Sequence, residues 1–266
     1  MTDFHTHAFP DALAPKTIPV LAATAGITPA HNGTAADLVR VEREAGIDRA
    51  LVLPVVTKPS QFESVNRFAA ELDRTPGLRA FGGIHPDCEE PEEKLHFLKG
   101  QGFRGIKIHP DYQGVFIDDP RFIRIIRAAL ALDLFVVTHA GFDPISPDVV
   151  HCPPDRVARM LELVYDEPPA APRIILAHMG GVGMQKEFAA CLLGKPVYID
   201  TSFVLPDLPP ADAAALIRAH GADKVLFATD APWGDPKVFL AAFDRLPLLS
   251  AEREAVLEGN AAKILD

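Results

Sequence analysis

Eight short, nearly unbroken apolar runs recur along the chain, and their number and order restrict the fold more than any other feature. They are TDFHTHA (2–8), DRALVLPVV (48–56), LRAFGGIHP (78–86), FRGIKIHP (103–110), LFVVTHAG (134–141), RIILAHMG (173–180), KPVYIDTS (195–202) and KVLFATDAP (224–232). Most lack the strict apolar–polar alternation of a half-exposed strand, as expected of strands buried on both faces. Helical stretches separate them. TAADLVRVEREAG (34–46) starts on a Thr cap and ends on glycine, and SQFESVNRFAAELDR (60–74) opens with the Ser-x-x-Glu of a capping box. DPRFIRIIRAALAL (119–132) puts Phe122, Ile125, Ile126 and Ala129 on one stripe. Residues 154–166, 211–221 and 235–246 repeat the theme, and 91–100 and 183–193 are shorter helix candidates.

Strand–helix alternation repeated eight times, over a length close to the ~250 residues usual for it, predicts a (β/α)8 TIM barrel of α/β class. The 266 residues, 48% of them hydrophobic, supply a core for one such domain spanning 1–266. A doubly wound open sheet is the structural alternative, but no Gly-x-Gly-x-x-Gly follows the first strand. Residues 8–33, rich in Pro and Ala, read as a long first loop, and 250–266 as a closing helical segment.

Composition removes several function classes. The formal net charge is -10 and no Lys/Arg-rich block occurs, so a nucleic-acid partner is not expected. Cys88, Cys152 and Cys191 are scattered and odd in number, which fits neither a disulfide framework nor a CxxC metal site. No apolar run approaches the ~20 residues that span a bilayer. The opening residues lack the basic and apolar regions of a signal peptide. The expectation is a cytoplasmic protein with no membrane partner.

In a barrel of this kind the active site gathers at the carboxyl ends of the strands. Six of the ten histidines fall there: His5, His7, His85, His109, His139 and His178. If residues 3–7 form a regular strand, Asp3, His5 and His7 share a face. Two imidazoles so placed repel when protonated and bury poorly when neutral. A metal ion resolves the conflict, because neutral imidazole nitrogen is a good ligand. Asp230 ends the eighth strand beside them. Lys107 shares the inward parity of His109, because Ile106 and Ile108 must occupy the other face.

With DFHTH, GFRGIKIHP, ILAHMGG, FATDAPWG and GNAAKIL in this order, the chain resembles the amidohydrolase superfamily. It is most similar to the amidohydrolase-2 branch, which holds aminocarboxymuconate-semialdehyde decarboxylase, aromatic-acid decarboxylases and lactone hydrolases. The resemblance implies that His5, His7, His139 and Asp230 hold one divalent metal, zinc foremost with manganese as a second option. It also implies that His178 stands by the metal-bound water as an acid/base group. Three imidazoles and a carboxylate leave a position for water, whose pKa a metal can lower to about 7. Asp230 is then expected to accept its proton and His178 to protonate the leaving group.

Binuclear superfamily members bridge two metals with a carboxylated strand-4 lysine, and Lys107 stands on that strand. Its favoured role is a cationic anchor for a substrate carboxylate. His85, His109 and Trp233 are candidate pocket residues. Asp200 is weighed equally as a pocket group and as a structural hydrogen-bonding group, and Asp3 is expected to orient an imidazole or cap the barrel floor. GGIHPD (82–87) resembles TatD-type nucleases, but those carry a strand-4 glutamate where this chain has GIKIH. No Gly-x-Ser-x-Gly elbow is present, so covalent catalysis is not expected. The leading expectation is a metal-dependent hydrolase of a small carboxylated ester, lactone or amide. The first alternative is a decarboxylase, or hydratase, of an aromatic or muconate-like acid. A metal-binding barrel without turnover is the alternative of another class. The expected partner is a small-molecule carboxylate, with a homodimer as a possible assembly.

Overall fold

A computed structural model describes all 266 residues. Nine short strands form the interior: β1 (Thr2–Thr6), β2 (Arg49–Val52), β3 (Leu78–Ala80), β4 (Gly82–Gly83), β5 (Gly105–Ile108), β6 (Phe135–Thr138), β7 (Ile174–Leu176), β8 (Tyr198–Asp200) and β9 (Val225–Leu226). All neighbours pair in parallel, in the orders β1-β2-β3 and β4 through β9. β3 and β4 are one barrel strand interrupted at Phe81, which joins the two sheets. The ring closes where Phe4 N–H donates to Phe227 C=O at 2.9 Å and Asp230 N–H to His5 C=O at 2.8 Å. The eight expected strands are all present, and the architecture is the (β/α)8 barrel.

Helices follow the strands: α1 (Ala14–Ala25) and α2 (Ala35–Glu44) after β1, α3 (Phe62–Asp73) after β2, and α4 (Pro91–Gly100) after β4. Beyond β5 come α5 (Pro110–Gln113) and α6 (Pro120–Ala131), then α7 (Pro154–Val164), α8 (Gln185–Cys191) and α9 (Pro210–His220) after β6, β7 and β8. α10 (Pro236–Asp244), α11 (Ser250–Glu254) and α12 (Asn260–Leu265) close the chain. No helix is long and apolar enough to cross a membrane.

The first loop is corrected by α1. Pro19 hides the helix from a propensity reading, since an interior proline removes a backbone donor. Ala14, Ile18 and Ala22 nonetheless recur every fourth residue on a buried stripe, and Gly26 ends the helix at φ 68°.

Two apolar layers hold the fold. Fifty buried residues pack largely between the strands and the outer helices. Inside the barrel, Phe4, Leu51, Leu53, Phe81, Phe135, Val137, Ile175, Tyr198 and Leu226 form a second cluster, joined by Ala261, Ile264 and Leu265 of α12. Gly105 is required here, because a Cβ would lie 2.5 Å from the Phe81 ring and 2.7 Å from Phe135 O. This packed layer leaves the carboxyl ends of the strands as the place where polar groups can collect.

β1 departs from alternation. Its register against β2 shifts between Asp3 and Thr6, as at a bulge. Phe4 therefore joins the interior, while Asp3 accepts from Thr229 N–H at 3.1 Å and sits beside Glu42 of α2. The expected common face of Asp3, His5 and His7 is corrected accordingly: Asp3 braces the β1–β9 seam and bonds no imidazole.

Candidate active site

His5 lies within β1 and His7 just beyond it. Lys107 is in β5 with His109 just beyond, His139 follows β6, His178 follows β7, and Asp230 follows β9. All seven line one cavity of about 560 Å3, together with Trp233, Tyr112, Asp143 and Phe203. The barrel itself brings them together, since successive parallel strands deliver their ends to one rim. His85 is the exception and does not line this cavity. β4 ends at Gly83, so strand parity no longer governs His85, and its Nδ1 accepts from Asp87 N–H at 3.1 Å.

The hydrogen bonds fix the imidazole tautomers. His7 Nδ1 donates to Leu53 C=O at 3.0 Å, leaving Nε2 as a bare lone pair 3.1 Å from Asp230 Oδ1. His5 Nδ1 donates to Asp200 Oδ2 at 2.9 Å, leaving its Nε2 3.2 Å from Lys107 Nζ and 3.4 Å from Asp230 Oδ1. Asp200 Oδ1 also receives His178 N–H at 2.9 Å, Ser202 N–H at 3.0 Å and the Ser202 hydroxyl. With that hydroxyl proton committed, Ser202 Oγ accepts from His178 Nδ1 at 2.8 Å. His178 Nε2 must then accept from His139 Nδ1 at 3.0 Å. The chain of donors ends at His139 Nε2, a lone pair that is buried and has no hydrogen-bond partner.

Burial governs the charges. His5, His109 and His178 are pushed well below the usual imidazole range by desolvation, with neighbouring cations and imidazoles adding to it. His139 falls to about 4 for the same reason, against the opposing pull of Asp111. Lys107, 1% exposed, is lowered to about 8 by desolvation despite Asp200 and Asp230 nearby. The Asp230 carboxyl is raised, again by burial. The backbone is strained at the same rim: His178, Met179 and Asp230 adopt φ of 62°, 54° and 71°. Each such residue costs about 1–3 kcal/mol, which the surrounding bonds must offset.

This donor set fits a divalent cation. With His7 Nδ1 committed to the Leu53 carbonyl, its Nε2 faces an Asp230 carboxylate oxygen at 3.1 Å, a contact that only a cation or a proton can bridge. The outer nitrogens of His5 and His7 are tied to a carboxylate and a carbonyl, as metal-binding histidines usually are. The orphaned His139 Nε2 would otherwise cost about 1–3 kcal/mol unpaired. Of the four expected ligands, the structure gathers His5, His7 and Asp230 within one group. His139 lies in an adjoining group with His109 and Asp143, its Nε2 3.9 Å from both Asp111 Oδ2 and Asp143 Oδ2. His109 stacks on His139 with centroids 4.3 Å apart, and its Nδ1 accepts from Tyr112 N–H at 3.4 Å.

Three participants escaped the sequence reading. Ser202 and Asp143 stand two and four residues past Asp200 and His139, in loops with no motif signal of their own. The α1 wall of the cavity was hidden with its helix. Asp200 does not line the cavity: of its two expected roles the structure shows the hydrogen-bonding one, with His5 Nδ1 and the His178 N–H both donating to it.

A parallel barrel with imidazoles and carboxylates converging at its strand ends defines the class of metal-site TIM-barrel enzymes. The chain belongs to the amidohydrolase family, whose Amidohydro_2 model matches residues 2–266. No curated protein matches the sequence. Among solved structures it resembles 2,6-dihydroxybenzoate decarboxylase from Rhizobium, at 19% identity and TM-score 0.71 over 99% of this chain and 97% of that one. A dihydroxybenzoic acid decarboxylase from Polaromonas sp. JS666, with bound manganese and the inhibitor 2-nitroresorcinol, aligns at 17% identity and TM-score 0.69 over 99% and 96%. A putative 2-pyrone-4,6-dicarboxylic acid hydrolase from Pseudomonas putida aligns at 16% identity and TM-score 0.67, over the same shares of 99% and 96%.

Proposed function

We propose that this single-barrel enzyme is a metal-dependent decarboxylase of a small aromatic or muconate-like acid. One juxtaposition carries the reading: a buried ammonium and a buried carboxyl meet at one imidazole, Lys107 Nζ 3.2 Å and Asp230 Oδ1 3.4 Å from His5 Nε2. Lys107 anchors the substrate carboxylate. Asp230 delivers a proton to the ring carbon that bears the carboxylate. The carbon–carbon bond then breaks, its electron pair returns to the ring, carbon dioxide leaves, and solvent restores the Asp230 proton. Hydrolysis needs, in addition, an acid for the leaving group. His178, expected to be that acid, has both ring nitrogens engaged by Ser202 and His139, which leaves Asp230 as the proton-transfer group for either reaction. The aromatic-acid decarboxylases among the similar structures support decarboxylation over the leading expectation of hydrolysis.

His5, His7 and Asp230 would hold the divalent cation, with His139 the fourth donor that the family resemblance implies. Zinc and manganese both suit this set, and the similar decarboxylase that contains manganese supports the latter. The cation, when bound, would supply Lewis acidity toward a substrate oxygen. The three free cysteines support a reducing, cytoplasmic setting. A lactone hydrolase is the second reading, supported by the similar putative pyrone-dicarboxylate hydrolase.

Incubating metal-loaded protein with a panel of hydroxybenzoates and a pyrone dicarboxylate in deuterium oxide, followed by proton NMR, tests the reading. Deuterium at the former carboxyl-bearing carbon is the expected result. Ring opening of the pyrone with no loss of any benzoate would replace it with the hydrolase.

A further inference from the structure

We infer that the substrate acid carries an apolar alkyl or aryl substituent, and that this substituent lies in a groove between α1 and α3. The acid head group rests on the decarboxylase reading, whereas the groove rests on its own walls. At about 560 Å3 the cavity falls in the ~300–1,000 Å3 range of sites for drug-sized ligands, well beyond what a single carboxylated ring fills. Every charged or imidazole side chain that lines it stands at the barrel end. Its outer wall is built from Leu13, which caps the start of α1, and from Thr17 and Leu21 of that helix, faced by Ser64, Val65 and Phe68 of α3.

The polar groups of this wall are largely committed elsewhere. Thr24 Oγ1 donates to Val20 C=O at 3.0 Å, Ser64 Oγ to Gln61 C=O at 3.1 Å, and Thr57 Oγ1 to Gln61 Oε1 at 2.9 Å. What the groove offers a ligand is carbon surface. Leu13 is 51% exposed at its outer end, an apolar side chain left open to solvent. α1 is nonetheless fixed in place, because its opposite stripe is buried and Ile18 packs where a Cβ on Gly33 would stand, 2.4 Å away. The cavity is continuous from Asp230 to Leu13, so a molecule with its carboxylate at Lys107 extends into the groove.

Calorimetric titration with two homologous series tests this: 2-hydroxybenzoates with n-alkyl chains from methyl to heptyl, and n-alkanols of matching length as probes without the acid. Each methylene that enters the groove should tighten binding by up to about fourfold in both series. The slope should flatten in Leu21→Asp and Val65→Asp, both at half-buried positions, with circular dichroism confirming that each variant is folded. A chain-length slope that the variants abolish supports the groove whether or not carbon dioxide is released; without carbon dioxide release it counts against the decarboxylase reading alone. Flat affinities in both series, while the unsubstituted acid still turns over, overturn the groove and leave the reaction standing. No binding by either series, or a slope unaltered in both variants, overturns it as well.

Discussion

Asp200→Asn should loosen the divalent cation's hold on the site while leaving the barrel folded. The Asp200 carboxylate is fully buried and only accepts: three donors converge on Oδ1, and His5 Nδ1 donates to Oδ2 at 2.9 Å. An asparagine keeps one oxygen, and the three donors claim it. Its amide nitrogen then faces His5 Nδ1 and can only donate, so the imidazole must carry its proton on Nε2 instead. The lone pair aimed at Asp230 disappears. Losing an outer partner of this kind weakens metal binding by about 10- to 100-fold, or about 1.4–2.8 kcal/mol. The fold also loses a hydrogen bond to a charged group, worth roughly 1.5–3 kcal/mol. Competition against a chromophoric chelator gives the metal affinity, and a thermal melt shows that the variant is folded. A dissociation constant within twofold of wild type in a folded variant would refute the tautomer assignment and the metal site built on it.

Lys107→Met should raise KM strongly with metal content unchanged, the mark of a lost carboxylate anchor; loss of metal on elemental analysis would make Lys107 a ligand instead. Asp230→Asn, assayed at saturating metal with metal content measured on the same sample, should lower kcat by roughly 10²–10⁴-fold, as expected for a lost proton donor, and His178→Asn by less; steady-state rates in the reverse order at full metal content would return the acid role to His178. Glu42 is buried beside Asp3 with both carboxylate oxygens unpartnered, and desolvation pushes its pKa up to about 10. The folded state therefore binds that proton more tightly than the unfolded chain, and stability drains away as pH rises from about 4.5 toward 10. Glu42→Gln should thus raise Tm above wild type by a margin that grows between pH 5 and pH 9, and a margin independent of pH would contradict the assignment.

The strands were readable because burial on both faces gives runs such as ALVL and IIL, in which hydrophobicity itself is the signal. The chain segments that mattered most to the site were less so. β1 reads as an alternating strand, yet its register shift turns Phe4 inward and Asp3 outward, a consequence of pairing with β2 that no local pattern encodes. α1 was obscured by Pro19, whose cost the burial of Ile18 and Ala22 offsets only once the barrel exists. His5, His7 and Asp230 were legible because residue type and strand-end position coincided. The Asp200–His5 bond joins residues 195 apart, and its meaning comes from tautomers that tertiary contacts alone determine.

Carbon dioxide released per molecule of aromatic acid consumed, on protein first stripped by chelator and then reloaded with manganese or zinc, tests the central claim most directly. A ratio near one that vanishes on stripping and returns on reloading is the predicted result. Acid release from esters or lactones without carbon dioxide from any acid, or a rate indifferent to the metal, would contradict it.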